Sequence, residues 1–485
     1  MKKIFNRLNL LPLVGWVRVG VAPLFDSFDL LTNHLTPERP SPQGGGGRIN
    51  IFNWKFAISL LFAMILFGQN AFADDAKSRD VLQNWYKLIL ELVRHTATYS
   101  PPVASRSFAY LGVTAYESIA SGTPKLQSLA GQVQGLKDVP KRQAGKTYDD
   151  AIILQSAMTY AAHHYFGNTG PTGQRAMLAM EKQLRGQANT GVAKDVVKRS
   201  ENFGIAVAAH IFDWSKTDGG ADIENLGFPD KYTLTSGPAH WVPTSPIRLQ
   251  QFPLLPNWGK NRTFAIPAGT TCALPPPPDY SEDKNSEFYK QAMEVYTTSK
   301  NLTPEQKATA RFWSDDPMLS LTPPGHWVSI IWQVADREKL STDRIVETLA
   351  RVGVAEADAF IGCWRIKYQY DLLRPFTYIR KVIDPKWTAL LITPPFPEYP
   401  SGHSTNSAAA ALVLGSMYGE NYAFEDTTPQ SDGLLPRKFS SFMDAAKEAA
   451  NSRLYGGIHF RAAIERGLDQ GRCIGAFAAA LKMSH

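Results

Sequence analysis

Three short segments in the last third of the sequence carry side chains that could hold an anion. The first contains Lys367 and Arg374, and Pro375 follows directly. A lysine and an arginine seven residues apart lie two turns apart on one helical face, so both cations can point at the same spot. The spacing alone would also suit a solvated basic face.

The second segment is Pro400-Ser401-Gly402-His403, followed by a run of small residues over 404–414. Proline, serine and glycine at the start of a helix leave backbone N–H groups free to bind an anion. Ser401 adds a hydroxyl, and His403 can exchange a proton near neutral pH. For this segment alone, an ordinary helix N-cap is the alternative.

The third segment contains Arg453, the pair Gly456-Gly457 and His459. The glycine pair predicts the end of one helix, and the next helix should begin at about His459. Arg453 and His459 should therefore lie on either side of a tight turn. A buried histidine beside a turn is the alternative.

Together the three segments supply two guanidiniums, one ammonium, a hydroxyl, two imidazoles and a helix N-terminus. Guanidinium groups match the oxygens of a tetrahedral or trigonal-bipyramidal oxyanion better than any other side chain. The sequence therefore predicts an oxyanion pocket.

The order of these segments resembles a family signature. K-x6-R-P, then P-S-G-H, then S-R-x5-H is the pattern of the superfamily of vanadium-dependent haloperoxidases, bacterial class A acid phosphatases and type-2 phosphatidic acid phosphatases. Every fixed position is matched here, by Lys367, Arg374, Pro375, Pro400, Ser401, Gly402, His403, Ser452, Arg453 and His459. The motifs cover roughly residues 300–485.

The resemblance implies a role for each matched residue. His459 would be the covalent ligand, to vanadium in a peroxidase or to phosphorus in a phosphatase, and His403 would be the acid–base group. The oxygens of the anion would be held by Lys367, Arg374, Ser401, Gly402 and Arg453. Five-coordinate vanadate mimics the transition state of phosphoryl transfer, so a pocket that suits one also binds the other.

One position departs from the pattern. Members of the superfamily usually carry an aspartate four residues after the ligand histidine, where it orients the ring, and this chain has Ala463 there. Glu465 lies two residues further along and faces elsewhere on the helix. A backbone carbonyl or another side chain would then hold the ring of His459. The departure weighs more against a phosphatase, in which the histidine must be an activated nucleophile.

Three features favour the haloperoxidase branch. A whole helical half precedes the motifs, whereas the soluble acid phosphatases are compact single bundles. The lipid phosphatases carry the motifs among transmembrane spans, and we expect no stable span after Ala73. Trp364 and Phe396 match the aromatic pair of the halide pocket in chloroperoxidase-like members, although core packing would explain them equally well.

The resemblance thus implies vanadate as cofactor, with hydrogen peroxide, a halide and a small organic acceptor as partners. His403 would take a proton from the peroxide, Lys367 would polarise it, and hypohalous acid would leave, with vanadium acting as a Lewis acid. Two alternatives stay open. One is a periplasmic acid phosphatase that hydrolyses phosphomonoesters through a phosphohistidine, and the other is an oxyanion-binding protein without turnover.

The segment over 312–327 also resembles bacterial haloperoxidase-like proteins. Asp315 or Asp316 could pair with an active-site arginine, and His326 could lie at the mouth of the pocket. Solvated residues at helix ends are the alternative for each of them.

The net charge argues against nucleic acid as a partner. Residues 1–73 hold seven Lys/Arg and three Asp/Glu, so they contribute +4 of the formal +7 and the remainder only +3. No run of Lys/Arg interleaved with aromatics stands out in that remainder. A few cations around an anionic ligand explain the balance better.

A secretory signal is predicted over residues 55–73. Lys55 precedes an apolar run that ends in Ala71-Phe72-Ala73, a small-x-small cleavage site. We expect an exported protein, periplasmic or secreted, whose mature chain begins near Asp74. Residues 1–54 are predicted to be disordered or to precede the true start, and an uncleaved anchor is the alternative.

Three cysteines, Cys272, Cys363 and Cys473, allow at most one disulfide, and none belongs to a CxxC pair. Structural zinc and thioredoxin-like redox chemistry are therefore poorly supported. We expect buried free thiols.

The elements that must position these residues are predicted to be helices. Apolar residues recur at three- and four-residue spacing near 78–97, 103–121, 147–166, 172–186, 193–214, 283–299, 303–315, 324–337, 342–371, 401–418, 437–455 and 459–482. No convincing alternating strand is present. The sequence predicts an all-α fold of two packed bundles, residues 74–215 and 283–485, separated by an irregular Pro/Gly-rich surface excursion over 216–282.

Overall fold

The computed structural model describes residues 75–229, 231–245 and 251–484. The predicted signal over 55–73, its cleavage site and the extension over 1–54 lie outside the described residues. Within the described ranges, no helix is both long enough and apolar enough to cross a membrane.

Helices dominate these ranges, and the predicted all-α class is confirmed. The first five helices are α1 (75–94), α2 (Pro101–Ala120), α3 (Asp150–Tyr165), α4 (Pro171–Asn189) and α5 (Lys194–Ser215). A four-residue helix, α6 (Gly220–Ile223), begins the irregular segment. The later helices are α7 (Glu287–Lys300), α8 (Pro304–Phe312), α9 (Thr322–Glu338), α10 (Thr342–Tyr370), α11 (Pro375–Val382), α12 (Gly402–Tyr418), α13 (Phe442–Tyr455) and α14 (Arg461–Ala479).

Two elements differ from the sequence-based prediction. Helix α11 was not predicted, because it is short and follows the turn after α10. A two-stranded antiparallel hairpin, β1 (Phe424–Asp426) with β2 (Arg437–Phe439), replaces the start of the helix predicted over 437–455. Strands of three residues are too short for alternation of polar and apolar side chains to be visible in the sequence.

One hydrophobic cluster spans both predicted halves, and a second, smaller cluster around Phe288 and Phe460 lies within the second half. Helix α2 packs along α10, and the larger cluster contains side chains such as Phe108 and Leu111 together with Leu349 and Val352. The division into halves at 74–215 and 283–485 therefore stays a prediction.

The segment between the predicted halves is irregular, and it lies only partly on the surface. Trp241, Trp258 and Phe264 are buried. Buried irregular backbone needs hydrogen-bond acceptors, and the carboxylate of Asp358 on α10 accepts the N–H groups of three consecutive residues, Phe264 (2.6 Å), Ala265 (2.7 Å) and Ile266 (3.0 Å).

A disulfide also fixes this segment. Cys272 is bonded to Cys473 on α14, 201 residues away in sequence. The expectation of free thiols is therefore wrong for these two cysteines, because the fold brings two distant segments together in a way that spacing does not reveal. Cys363 is free and buried, as expected.

Close packing of α12 on α14 sets the frame of the predicted pocket. A Cβ on Gly471 of α14 would lie 2.2 Å from the carbonyl oxygen of Thr405 on α12, so only glycine allows this approach. The backbone N–H of Ser401 donates to the carbonyl of Ala463 at 3.0 Å. The start of α12 is thereby held beside the start of α14.

Candidate functional site

The three segments meet at helix ends. Lys367 lies in the last turn of α10, Arg374 at the N-cap of α11, and Ser401 at the N-cap of α12. Arg453 lies in the last turn of α13, and His459 lies in the turn that leads to α14. All five side chains are buried.

Lys367 and Arg374 come together by a turn and not along one helical face. Helix α10 ends at Tyr370, and Asp371 adopts a left-handed conformation with φ 47°. Pro375 disfavours a helical conformation at the residue before it. The expectation of one continuous helical face is therefore wrong, although both cations reach the same site.

A tight turn places Arg453 and His459 on its two sides, as predicted. Gly457 has φ 76°, and a Cβ there would approach Trp387 and Ala389 at 3.2 Å. Both the left-handed conformation and the close neighbours require glycine.

The ring of His459 is held by a carboxylate that the sequence analysis did not identify. Nδ1 of His459 lies 2.8 Å from Oε1 of Glu398, and the backbone N–H of Phe460 donates to the same oxygen at 2.8 Å. On the other side of the ring, Nη1 of Arg374 lies 3.2 Å from Nε2.

These contacts define the tautomer of His459. A guanidinium can only donate, so Nε2 must carry the lone pair, and Nδ1–H must donate to Glu398. Burial and the nearby cations Arg374 and Lys367 lower the pKa of His459 well below its usual range, which keeps the ring neutral. A neutral imidazole with a lone pair facing cations is suited to bind the central atom of an oxyanion.

Glu398 therefore takes the place that the missing aspartate at 463 would occupy. Its side chain is fully buried, and burial raises the pKa of Glu398 to about 7 against the opposing effect of Arg374. The signal that could have identified it is its isolation, since Glu398 is the one acidic residue in the apolar, proline-rich stretch over 389–400.

The ammonium of Lys367 is oriented toward the backbone. It donates to the carbonyl oxygens of Pro397 (2.8 Å), Glu398 (3.0 Å) and Pro400 (2.6 Å). Because an ammonium has three protons, a direct bond to an anion requires that one of these carbonyls be replaced. Burial and the Arg374 cation lower the pKa of Lys367 to about 7.

Both arginines of the site are buried, and Arg374 keeps a donor for an anion. Burial lowers the pKa of Arg374 and of Arg453 to about 10 in each case. Nη2 of Arg374 is buried and has no hydrogen-bond partner among the described residues. A buried guanidinium with an unused N–H donor destabilises the folded protein unless an anion accepts that hydrogen bond.

The start of α12 adds further donors. The hydroxyl oxygen of Ser401 accepts the N–H of Ser404 at 3.3 Å, so Ser401 is an N-cap and its hydroxyl proton stays available. The N–H groups of Gly402 and His403 lie in the first helical turn, where no intrahelical acceptor exists. A Cβ on Gly402 would meet Phe360 and Trp364 only at ordinary contact distances of 3.6 Å, so packing alone does not require glycine there.

His403 faces Arg453 and the buried carboxylate of Asp315. Nη1 of Arg453 lies 3.1 Å from Nε2 of His403, and Oδ2 of Asp315 lies 3.8 Å from the same nitrogen. Burial, Arg453 and His326 lower the pKa of His403 well below its usual range. His403 is therefore neutral and able to accept a proton.

His326 does not lie at the pocket mouth, so that expectation is wrong. It is buried between Asp315 (Nδ1 to Oδ1, 3.0 Å) and Asp426 on β1 (Nε2 to Oδ2, 2.8 Å). Burial acts to lower the pKa of His326, but the two carboxylates outweigh it and raise the pKa to about 10. Asp315 thus pairs with His326, while Asp316 and Asp315 influence Arg453 through space.

A cavity of about 390 Å³ opens onto these groups. Gly402, His403, Arg453 and His459 line its inner end, and Trp364 and Phe396 form an apolar wall. The two rings are 4.9 Å apart, and Trp364 also packs in the core. The structure thus places the predicted halide-pocket pair beside the predicted anion site.

The residues present fit vanadate. His459 would supply a nitrogen ligand, and Arg374, Arg453, Ser401 and the N–H groups at the start of α12 would hold the oxygens. The unused Nη2 donor of Arg374 and the three buried cations of the site, Lys367, Arg374 and Arg453, support this fit.

Comparisons with known proteins point to one family. The family model VCPO second helical-bundle domain matches residues 347–485. Vanadium chloroperoxidase of Curvularia inaequalis is 25% identical over 315 residues, 48% of this chain and 51% of the relative, so the match spans about half the length of that curated relative.

Solved structures extend the likeness to most of the chain. The first bacterial vanadium-dependent iodoperoxidase is 36% identical, with a TM-score of 0.77, and the match covers 84% of this chain and 97% of that chain. A holo-type bacterial vanadium-dependent chloroperoxidase is 17% identical, with a TM-score of 0.60 over 80% of this chain and 93% of that chain, a likeness of fold alone. The chain therefore belongs to the vanadium-dependent haloperoxidase family of peroxidase enzymes.

Proposed function

We propose that this protein uses vanadate and hydrogen peroxide to oxidise a halide to hypohalous acid. One structural observation carries the binding of the anion in this proposal: Glu398 holds a neutral His459 whose Nε2 lone pair faces the guanidinium of Arg374. A nitrogen ligand next to buried cations suits an oxyanion that bonds covalently to the histidine.

Different residues of the site would bind vanadate and transfer protons. When bound, vanadate would act as a Lewis acid that activates hydrogen peroxide, and the oxidation state of vanadium would not change. His459 would hold it, and Arg374, Arg453 and the start of α12 would balance its charge. His403, neutral because its pKa is lowered, would take a proton from hydrogen peroxide at Nε2 or Nδ1. Lys367, which donates to the carbonyls of the loop before α12, would contribute its positive charge to the site without a direct bond to the anion.

Iodide is the halide that we expect to be oxidised most readily. The wall of Trp364 and Phe396 is apolar and suits a large, weakly hydrated anion. The 36% identity to a bacterial iodoperoxidase supports the same choice. Hypohalous acid would then halogenate a small organic acceptor.

Two alternative functions have less support than the peroxidase. Ala463 suggested a histidine that nothing orients, which favoured a binding protein without turnover, but Glu398 supplies the orienting carboxylate. A phosphatase with a phosphohistidine intermediate would use the same oriented histidine. The likeness to haloperoxidases favours the peroxidase.

We further propose that the protein is exported to the periplasm or secreted. The apolar run and cleavage site over 55–73 support export. The Cys272–Cys473 disulfide supports an oxidising compartment.

The proposal is tested by stripping the protein of anions and adding orthovanadate. Triiodide formation from iodide and hydrogen peroxide is measured beside hydrolysis of a chromogenic phosphate ester. We expect saturable, vanadate-dependent iodide oxidation. Ester hydrolysis without vanadate, and no iodide oxidation with it, would favour the phosphatase instead.

A further inference from the structure

The outer end of the cavity is bordered by exposed apolar side chains. Met318 is 54% exposed, Leu319 69% and Ile392 67%, and all three line the cavity that contains His403 and His459. Any product that leaves the site through this opening passes them.

Met318 differs from the other methionines in the described part of the chain. Met158, Met177 and Met483 are fully buried. Met180, Met293, Met417 and Met443 are partly buried. Met318 is thus the most exposed methionine among the described residues, and it lies at the opening of the site.

The backbone holds Met318 at this rim. Met318 has φ 67°, and Asp315 (48°) and Thr322 (63°) in the same segment are also left-handed. Such a conformation costs a non-glycine residue about 1–2 kcal/mol. The segment keeps it because the N–H groups of Leu319 and Ser320 both donate to the carbonyl of Asp316 at 3.1 Å.

We propose that Met318 is a modification site, whose thioether is oxidised to the sulfoxide by hypohalous acid as it leaves the cavity. This rests on the proposed function, because the oxidant is its product. The sulfur lone pair attacks the halogen of the hypohalous acid and releases hydroxide, which gives a halosulfonium ion. Water then adds to sulfur, and halide and two protons leave. Sulfur loses two electrons and the halogen gains them, so that one thioether and one hypohalous acid give one sulfoxide, one halide ion and one proton.

The sulfoxide changes the rim. Oxidation converts a flexible apolar side chain into a polar one. The opening of the cavity therefore becomes less apolar with each modified molecule, and access for an apolar acceptor falls during turnover.

The test uses the full chain loaded with orthovanadate, given hydrogen peroxide and iodide or bromide, with free methionine in the solution as a scavenger. Halide oxidation is followed in the same tubes, and sulfoxide at each methionine is measured by peptide mass spectrometry. Parallel samples omit halide, or replace turnover by the same amount of added hypohalite on vanadate-free protein.

We expect the sulfoxide fraction at Met318 to exceed that at Met293 at least fivefold during turnover. With added hypohalite this ratio should be smaller, because free methionine intercepts oxidant that reaches the protein from solution. Met318→Leu keeps the apolar volume and should abolish the mass shift of this peptide, which assigns it to sulfur and not to Trp313 or Trp327. Halide oxidation without preferential Met318 sulfoxide overturns this proposal alone. Absence of halide oxidation overturns the proposed function and this inference with it.

Discussion

Oε1 of Glu398 and Nδ1 of His459 lie 2.8 Å apart, across 61 residues of sequence. This contact joins the loop before α12 to the turn before α14. The superfamily resemblance led us to expect an orienting aspartate at position 463, where this chain has Ala463, and Glu398 meets that chemical requirement from a different element.

Removal of the Glu398 carboxylate should weaken vanadate binding. Partners that orient a ligating histidine are typically worth about 10–100-fold in affinity. We expect Glu398→Ala to show a loss of that size in an orthovanadate titration, and Glu398→Gln, whose amide oxygen can still accept from Nδ1–H, a smaller loss. Glu465→Ala on the exposed side of α14 is the matched control and should bind like the parent. Equal affinity for Glu398→Ala and the control would remove Glu398 from the site.

Gly402→Ala should lower the affinity for vanadate and leave the thermal stability of the fold unchanged. Its Cβ would have ordinary contacts of 3.6 Å with Phe360 and Trp364, and because Gly402 lines the cavity, the added methyl group would take up space beside the proposed anion site. Loss of one hydrogen bond to a charged group costs about 1.5–3 kcal/mol, so vanadate affinity should fall roughly tenfold or more. Gly415→Ala in the same helix, remote from the cavity, serves as control. A large drop in the Tm of Gly402→Ala would show a packing role instead.

The buried His326 should give the stability a defined pH dependence. Its pKa is raised from 6.5 to about 10 on folding, so its ion pairs stabilise fully below pH 6.5 and lose this effect as pH rises through about 10. Lys367, whose pKa is lowered to about 7, favours the folded state more as pH rises, but this effect is the same in parent and variant and cancels in the difference between their Tm values. The Tm difference between parent and His326→Gln should therefore shrink from pH 7 to pH 10. A constant difference would contradict a charged His326.

Reduction of the Cys272–Cys473 disulfide should destabilise the protein. The bond closes a loop of 201 residues, and loss of a native disulfide typically costs about 2–5 kcal/mol. We expect a reducing agent to lower the Tm of the parent and to leave the Cys272→Ser/Cys473→Ser variant unchanged. Cys363→Ala should respond to the reductant like the parent. An intact mass with three free thiols before reduction would rule the bond out.

The sequence predicted what is local and missed what depends on distant contacts. Helical periodicity identified most helices, and motif order identified the cations and histidines that meet at the site. Glu398 and the His326 ion pairs could not be predicted, because the contacts of Glu398 with His459 and of His326 with Asp426 join residues 61 and 100 positions apart with no fixed spacing. The burial of the segment around Trp258 could not be predicted for a similar reason. The backbone N–H of nearby Phe264 donates to the carboxylate of Asp358 on α10, a contact between residues far apart in sequence.

The measurement that tests the account most directly is an orthovanadate titration of the parent, His459→Ala and His403→Ala. Nε2 of His459 is the proposed covalent ligand, so His459→Ala should lose most of the vanadate affinity. His403 is proposed to move protons, so His403→Ala should still bind vanadate appreciably. If His459→Ala binds vanadate as tightly as the parent, the cations alone hold the anion, His459 is not a ligand, and the central claim is contradicted.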